Sequence, residues 1–466
     1  MWIQRAMLAF GLWIVAVQVA ICQSDSSVHD PRTRGVWHAG RFVGFVPAHE
    51  RVRAAADASP LPVSSGQSPV LREATLIVEA APEVPLDLES LDVPAAADAG
   101  EDLATTVSIG AGKQFGPSAA IWGRSEYLLW WTQGMDVPAL ATTSPDGTAQ
   151  GQAGVLGVST TTTIFGAGEL NDEIRSGGRY TAGLWFDDWQ CHGVQVTYLG
   201  LEDETESFQG SAFSGTILAR PFFNTQAGED ARLIAYPGVV AGNLAISVTT
   251  EFQTLEALYR WAAFQSHCAR IDYVFGYRFA ELQDQLLFAE ATQSLAGATA
   301  GTTIDLFDRF DTRNRFHGAE MGLVAQWQCR PCWSWEATAK IAFGGLESRG
   351  VLAGQETRTT STSQSFPNGL LVQGTNAGTF WEEDFETISE IGITLKREIP
   401  CGMTATIGYS FIYWSDVMRS GDQIDRNINT TQIPPDTLSG DSRPIFPFGR
   451  SDFWAQGLRF GVEYQF

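Results

Sequence analysis

From Trp454 to Phe466 the chain alternates. Trp454, Gln456, Leu458, Phe460, Val462, Tyr464 and Phe466 fall on one side, and Ala455, Gly457, Arg459, Gly461, Glu463 and Gln465 on the other. Successive side chains of a strand point to opposite faces, so this segment predicts a strand that divides an apolar medium from a polar one. The same grammar recurs at Trp333, Trp335, Ala337, Ala339, Ile341 and Phe343, at Ile271, Tyr273, Phe275, Tyr277 and Phe279, and at Met403, Ala405, Ile407, Tyr409, Phe411 and Tyr413. Weaker versions occupy 122–131, 178–187, 191–200, 249–262, 315–327 and 385–397.

The spacing of these segments carries more than any one of them. Short connections near Asp188-Trp189-Gln190, Phe264 to His267, Gln328 to Cys332 and Glu398 to Cys401 alternate with long ones at 132–177, 201–248, 280–314, 344–384 and 414–453. Short turns on one side and long loops on the other are the pattern of an up-and-down outer-membrane barrel. A strand crossing a bilayer obliquely needs about 9–11 residues, which 333–343, 403–413 and 454–466 supply. An open sheet would leave unpaired edge groups in hydrocarbon, so the strands must close into a ring. The expected fold is all-β, a transmembrane antiparallel barrel of about ten strands. A further hairpin around Thr160–Phe165 would make twelve. Trp130-Trp131, Trp333, Tyr413-Trp414 and Trp454 are expected in the aromatic girdles at the membrane boundary.

The region before the strands reads differently. Arg5, the apolar stretch from Ala6 to Ala20 and the small residues Ala20 and Cys22 predict a signal peptide over 1–22. Cys22 as a lipid acceptor is the alternative, set against by the bulky Ile21 before it. Residues 23–117 include Ala80-Ala81-Pro82-Glu83-Val84-Pro85 and predict a disordered Ala/Pro-rich periplasmic arm, because such a segment buries too little apolar surface to offset ordering entropy. The barrel is expected over 118–466.

Composition agrees with strands that meet lipid: 11% aromatic residues, 15 Trp, 47 Gly and only 18% charged residues. The net charge of −23 excludes a nucleic-acid surface, which needs clustered Lys and Arg.

Candidate chemistry lies on the polar faces. Asp272, Arg278, Glu320, Glu336, Lys340, Glu390, Lys396, Arg459 and Glu463 are expected to face the lumen. In an open lumen they would set ion selectivity. In a narrow ring they would instead form a salt-bridged plug. Cys191, Cys268, Cys329, Cys332 and Cys401 all fall at short turns and are disulfide candidates in an extracytoplasmic compartment, either between turns or within Cys329-Arg330-Pro331-Cys332. One CxxC falls short of the four ligands of a structural zinc site, so no metal and no cofactor is expected. His192, His267 and His317 belong to no recognisable catalytic motif, and no enzyme activity is expected.

Phe460, Val462, Tyr464 and Phe466 resemble the C-terminal signal read by the outer-membrane barrel assembly machinery. A wider resemblance is carried by Ser125-Glu126-Tyr127-Leu128-Leu129-Trp130-Trp131, Pro138, Leu140, Thr142-Thr143-Ser144-Pro145, Gly154-Val155-Leu156-Gly157, Phe165-Gly166, Arg175-Ser176-Gly177-Gly178-Arg179, Gly183, Trp185, Tyr198-Leu199-Gly200-Leu201 and Gly276-Tyr277-Arg278. These residues resemble the β-barrel porin family, type seven, over 118–466. The resemblance implies an outer-membrane barrel with a pore role and supplies no catalytic residues. The expected partners are outer-membrane lipid and the assembly machinery, with self-association left open. The expected function is a porin or passive channel for ions or small solutes. The alternative is a plugged barrel acting as a structural or adhesive surface protein through its long loops.

Overall fold

The computed structural model describes residues 120–211, 217–399, 402–434 and 437–466, together with the backbone of two short strands nearer the N-terminus. Those two, Thr33–His38 and Arg41–Pro47, pair as an antiparallel hairpin inside the segment expected to be an unstructured arm. Val36, Trp37, Phe42, Val43, Phe45 and Val46 give that stretch the β-branched and aromatic content strands favour. The signal peptide at 1–22 and the rest of the arm lie outside the described residues.

The alternating segments become the strands of a closed ring. In chain order they are β1 (Ile121–Thr132), β2 (Arg175–Trp185), β3 (His192–Leu201), β4 (Val240–Gln265), β5 (Ala269–Ser294), β6 (Thr303–Arg330), β7 (Trp333–Thr359), β8 (Gly378–Ile399), β9 (Met403–Val417) and β10 (Ser451–Gln465). Each pairs antiparallel with its neighbours in sequence, and β10 closes on β1 through pairs such as Phe460↔Tyr127. Glu204–Ser211 continues the line of β3 along the far half of β4, and Ser363–Phe366 adds a short strand beside β7. The segment around Thr160–Phe165 does not enter the ring. Thr162–Leu170 pairs with Met135–Ser144 in a separate five-stranded sheet that also holds Ile217–Asn224, Gly228–Ala235 and Asn427–Ile428. The ring therefore stays at ten strands.

Two of the expected long loops are taken up largely by continuations of ring strands. β5 runs to Ser294 and β6 begins at Thr303, so 280–314 narrows to 295–302, and β7 extends to Thr359. The reason is an inversion of the alternation. On β5 the outward residues Ile271, Tyr273, Phe275, Tyr277 and Phe279 are apolar, while Asp272 and Arg278 are buried inside the ring. Beyond Ala280 the alternation turns Glu281, which the Arg313 and Arg315 side chains cover, Gln283 and Gln285 outward, and Leu282, Asp284, Leu286 and Phe288 inward. β6 inverts at the same height: Met321 and Leu323 face out below, and Arg315, Arg313, Asp311 and Arg309 above. A contiguous belt of exposed apolar side chains faces lipid, and the polar exterior above it faces water. Its height on β5, Ile271 to Phe279, suits one oblique crossing. From Ala280 to Ser294 the strand continues roughly 35–40 Å past the belt, at ~3.3 Å per residue and ~40° of tilt. The barrel thus ends in a protein-filled turret.

The turret has its own core. Leu244, Ile246, Val248, Leu286, Phe288, Leu306, Phe310 and Leu352 from the ring pack against Met135, Leu140, Phe165, Leu218, Phe222, Leu371, Val372, Met418 and Ile428 from the loops. On its outer surface Glu281 pairs with Arg313 and Arg315, whose side chains remain 36% and 40% exposed. Glu281→Gln should cost less than about 1 kcal/mol, because these guanidinium groups keep their hydration. A urea-unfolding midpoint checks this.

The closed lumen as candidate functional site

All nine residues expected to face the lumen are buried. Some of their partners lie on adjacent strands, but others lie on strands that are not neighbours in the sheet, as in Arg124–Glu336, Lys340–Glu256, Arg278–Glu390 and Arg179–Glu390, and those contacts must cross the interior of the ring. Arg124 on β1 meets Glu336 on β7 at 2.7 Å and Glu463 on β10 at 2.5 Å. Lys396 on β8 joins the same two carboxylates at 2.7 and 3.0 Å. One level up, Lys340 on β7 reaches Glu256 on β4 at 2.6 Å and Glu390 on β8 at 3.0 Å. Arg278 on β5 meets Glu320 at 3.0 Å and Glu390 at 3.2 Å, and Arg179 on β2 meets Glu390 at 2.9 Å. Arg459 lies 3.3 Å from Glu126 and donates to Thr394 Oγ1 at 2.8 Å. Asp272 sits between Arg260 and Arg270 at 2.5 and 2.7 Å.

Small residues make room for this layer. An added Cβ at Gly392 or Gly408 would stand 3.3 or 3.1 Å from the Arg459 guanidinium, and one at Gly461 would stand 2.7 Å from Glu126 Cγ. Sequence reasoning placed the nine residues on inward faces but missed Arg124, Glu126, Arg179 and Glu256, which complete the network. Their signal was available in the alternation of β1, β2 and β4. Glu256, Glu320 and Glu390 bring carboxylate oxygens within 4.8 Å of one another, a spacing that can hold a metal ion. Lys340 and Arg278 already stand among these three carboxylates, and Arg179 binds Glu390. Their charge is thus balanced by the protein's own cations, as buried charges require.

Directly above the ion-paired layer the lumen turns apolar. Leu128, Trp130, Leu199, Phe252, Leu282, Phe316, Leu346, Ile388, Ile412, Trp414 and Phe453 form one buried cluster across the ring. Trp130 and Trp414 are fully buried there, which corrects their expected place in the membrane-boundary girdle. Adjacent residues of a strand cannot share a face, so Trp131 and Tyr413 point outward and their neighbours inward.

Higher still the loops are tied to the wall. Arg419 donates to Asp284 at 2.5 Å, Asn314 exchanges two hydrogen bonds with the backbone of Met418, and Ser420 donates to the Asp284 carbonyl at 3.0 Å. In the turret, Asp308 accepts from Arg220 at 2.6 Å and from the backbone N–H groups of Leu370, Leu371 and Val372. The space left within the ionic layer is a cavity of about 40 Å³, bordered by Arg124, Arg179, Glu390 and Arg459. That is room for a few water molecules and no more.

The cysteines differ from expectation. Cys191, Cys268, Cys329 and Cys332 are free thiols, and Cys401 lies outside the described residues. Cys191 and Cys268 are two strands apart, roughly 10 Å, beyond the ~7 Å Cα separation a disulfide spans. Cys268 and Cys329 lie on neighbouring strands, but the Cys268 carbonyl accepts from Gln328, so alternation sends the two side chains to opposite faces. Burial and the neighbouring Asp187 carboxylate push the Cys191 thiol up. The histidines stand apart from the lumen: His192 Nδ1 is 2.7 Å from the Tyr259 hydroxyl, His317 Nδ1 is 2.6 Å from the Tyr277 hydroxyl, and His267 is exposed at a turn.

Solved structures similar to this chain include the outer membrane protease OmpT from Escherichia coli, at 6% identity over 74% of this chain and 96% of that one, with a TM-score of 0.35. The P. putida toluene transporter TodX follows at 6% identity, covering 76% and 91%, with a TM-score of 0.20. A Pseudomonas aeruginosa FadL homologue has 8% identity, covers 74% and 90%, and has a TM-score of 0.19. No curated protein matches the chain. The family model described as "Putative beta barrel porin-7 (BBP7)" matches residues 122–466, and the chain belongs to that family of porin-like outer-membrane β-barrels.

Proposed function

We propose that this barrel is closed to solutes at rest and acts at the cell surface through its turret, the short turns and both ends of the ring lying on the periplasmic side. The observation that carries the reading is the lumen filling. An ion-paired layer that crosses the ring is followed by an apolar layer and then by loops bonded to the wall. An ion entering would have to displace buried pairs and then cross a dry aliphatic and aromatic stratum, where a charge is unpaired.

The surface role rests on the turret, which carries a concave outer patch of about 750 Å³ bordered by Gln209, Asn243, Asp305, Phe307, Gln355 and Thr357. A gated pore for ions or small solutes is the second reading, favoured by the family and by the polar docking of Met418, Arg419 and Ser420, which a loop movement could undo.

Planar-bilayer recording of the full chain, with folding checked by heat-modifiable migration, tests the two. The expected record is silent. Steady, salt-dependent current steps from the unmodified chain would sink the closed-barrel reading and make the ionic layer a selectivity filter.

A further inference from the structure

Every short turn of the ring carries a thiol. Cys191 ends the β2–β3 turn, Cys268 the β4–β5 turn, and Cys329 and Cys332 flank the β6–β7 turn. The segment between β8 and β9 contains Cys401, which lies outside the described residues. From residue 120 onward the chain has no cysteine anywhere else, so the long-loop end has none. The four described thiols are free, and geometry keeps Cys191 from pairing with Cys268 and Cys268 from pairing with Cys329. Cys329, Arg330, Pro331 and Cys332 are all exposed, whereas Cys191 and Cys268 are half-buried.

A membrane barrel cannot turn over or shift in height relative to its neighbours. The lipid belt fixes both, so rim groups of neighbouring copies lie at one height and come together where the copies turn the same edge to each other. We infer that the exposed thiols of the β6–β7 turn join two copies of this chain by a disulfide at their short-turn rims. The inference rests on the membrane-spanning fold and is independent of whether the lumen conducts.

The chemistry balances with a disulfide-bearing oxidant of the extracytoplasmic thiol–disulfide exchange class. One thiolate attacks that disulfide to give a mixed disulfide, and the thiolate of the second copy then displaces the carrier. One sulfur–sulfur bond forms between the copies, and the oxidant leaves as two thiols carrying the two electrons. A metal held by one copy alone is disfavoured because one CxxC offers two ligands of the usual four.

The test uses the full chain in proteoliposomes, treated with oxidised glutathione, alkylated with N-ethylmaleimide and separated without reductant. The expected product is a reducible dimer whose cross-linked peptides contain Cys329 or Cys332 from both copies. C329S/C332S should lower the dimer fraction at least tenfold, and C191S/C268S should leave it unchanged, with heat-modifiable migration confirming that both variants fold. A dimer that persists in C329S/C332S, a monomer with an internal Cys329–Cys332 bond, or a monomer with every thiol alkylated would each overturn the inference. So would a reducible adduct to a different protein, without dimer, in membranes of producing cells.

Discussion

Replacing Lys340 with methionine should lower the unfolding free energy of the barrel by about 3–5 kcal/mol, the usual cost of breaking a buried ion pair from one side. Lys340 Nζ lies within 2.7 Å of both Glu256 oxygens and 3.0 Å from Glu390, and its side chain is 2% exposed. Without it, three carboxylates share two nearby cations, Arg278 and Arg179, and Glu256 is left with only the 3.5 Å contact to Arg278. Only a few water molecules have room to enter beside them, since the cavity in this layer is about 40 Å³. The double variant Lys340→Met/Glu256→Gln should recover much of the loss, because the charge count is again even. The double-mutant cycle, read from urea unfolding in lipid, should give a coupling of about 1.5–3 kcal/mol. A single-variant cost under 1 kcal/mol would mean that the layer is hydrated and that the lumen is wetter than its geometry implies.

The ten ring strands were legible because each has one face toward lipid, which leaves an unbroken series of apolar side chains at period two. Tyr273, Phe275 and Tyr277 could belong to nothing else once a helix period was excluded. The turret was not legible, for a physical reason. Above Ala280 the medium outside changes from hydrocarbon to water while the medium inside changes from ion pairs to a packed apolar core. The alternation therefore keeps its period and reverses its sign. A stretch such as Arg309, Phe310, Asp311, Thr312, Arg313, Asn314 fell in an expected long loop, yet it is a strand with charge facing water and Phe310 fully buried.

The site divides in the same way. That Glu336 and Lys340 face inward follows from alternation alone. That Arg124 closes on Glu336 and Lys340 on Glu256 does not, since these partners are 212 and 84 residues apart and only the closure of the ring brings them together. Whether inward charges line a channel or fill it depends on those long-range pairings, so the sequence left both readings open. Cys191, Cys268, Cys329 and Cys332 do fall at or beside turns, but their pairing depends on which face each thiol leaves, and that is set by register between strands.

Phe460→Arg tests the lipid face, and its expected cost is about 2–4 kcal/mol near the middle of the bilayer. Phe460 is 38% exposed on the outside of β10, between Ile407 on β9 and Tyr127 on β1, both also exposed. Arginine there would have to reach the nearest headgroups past those apolar neighbours or pull water into the belt. Phe460→Leu should cost less than about 1 kcal/mol, because leucine stays apolar and leaves no cavity against lipid. One position inward the order of tolerance should change: Arg459→Lys should cost about 1–2 kcal/mol, since lysine cannot bridge Glu126 and Thr394 as the guanidinium does. Equilibrium folding into vesicles measures all three. Equal costs for Phe460→Arg and Phe460→Leu would mean that Phe460 meets water or protein rather than lipid. The phase of the belt, and with it the inward assignment of every residue in the ionic layer, would then be wrong. The strict alternation of β10 ties the two faces together, so one outward substitution is also a test of the lumen.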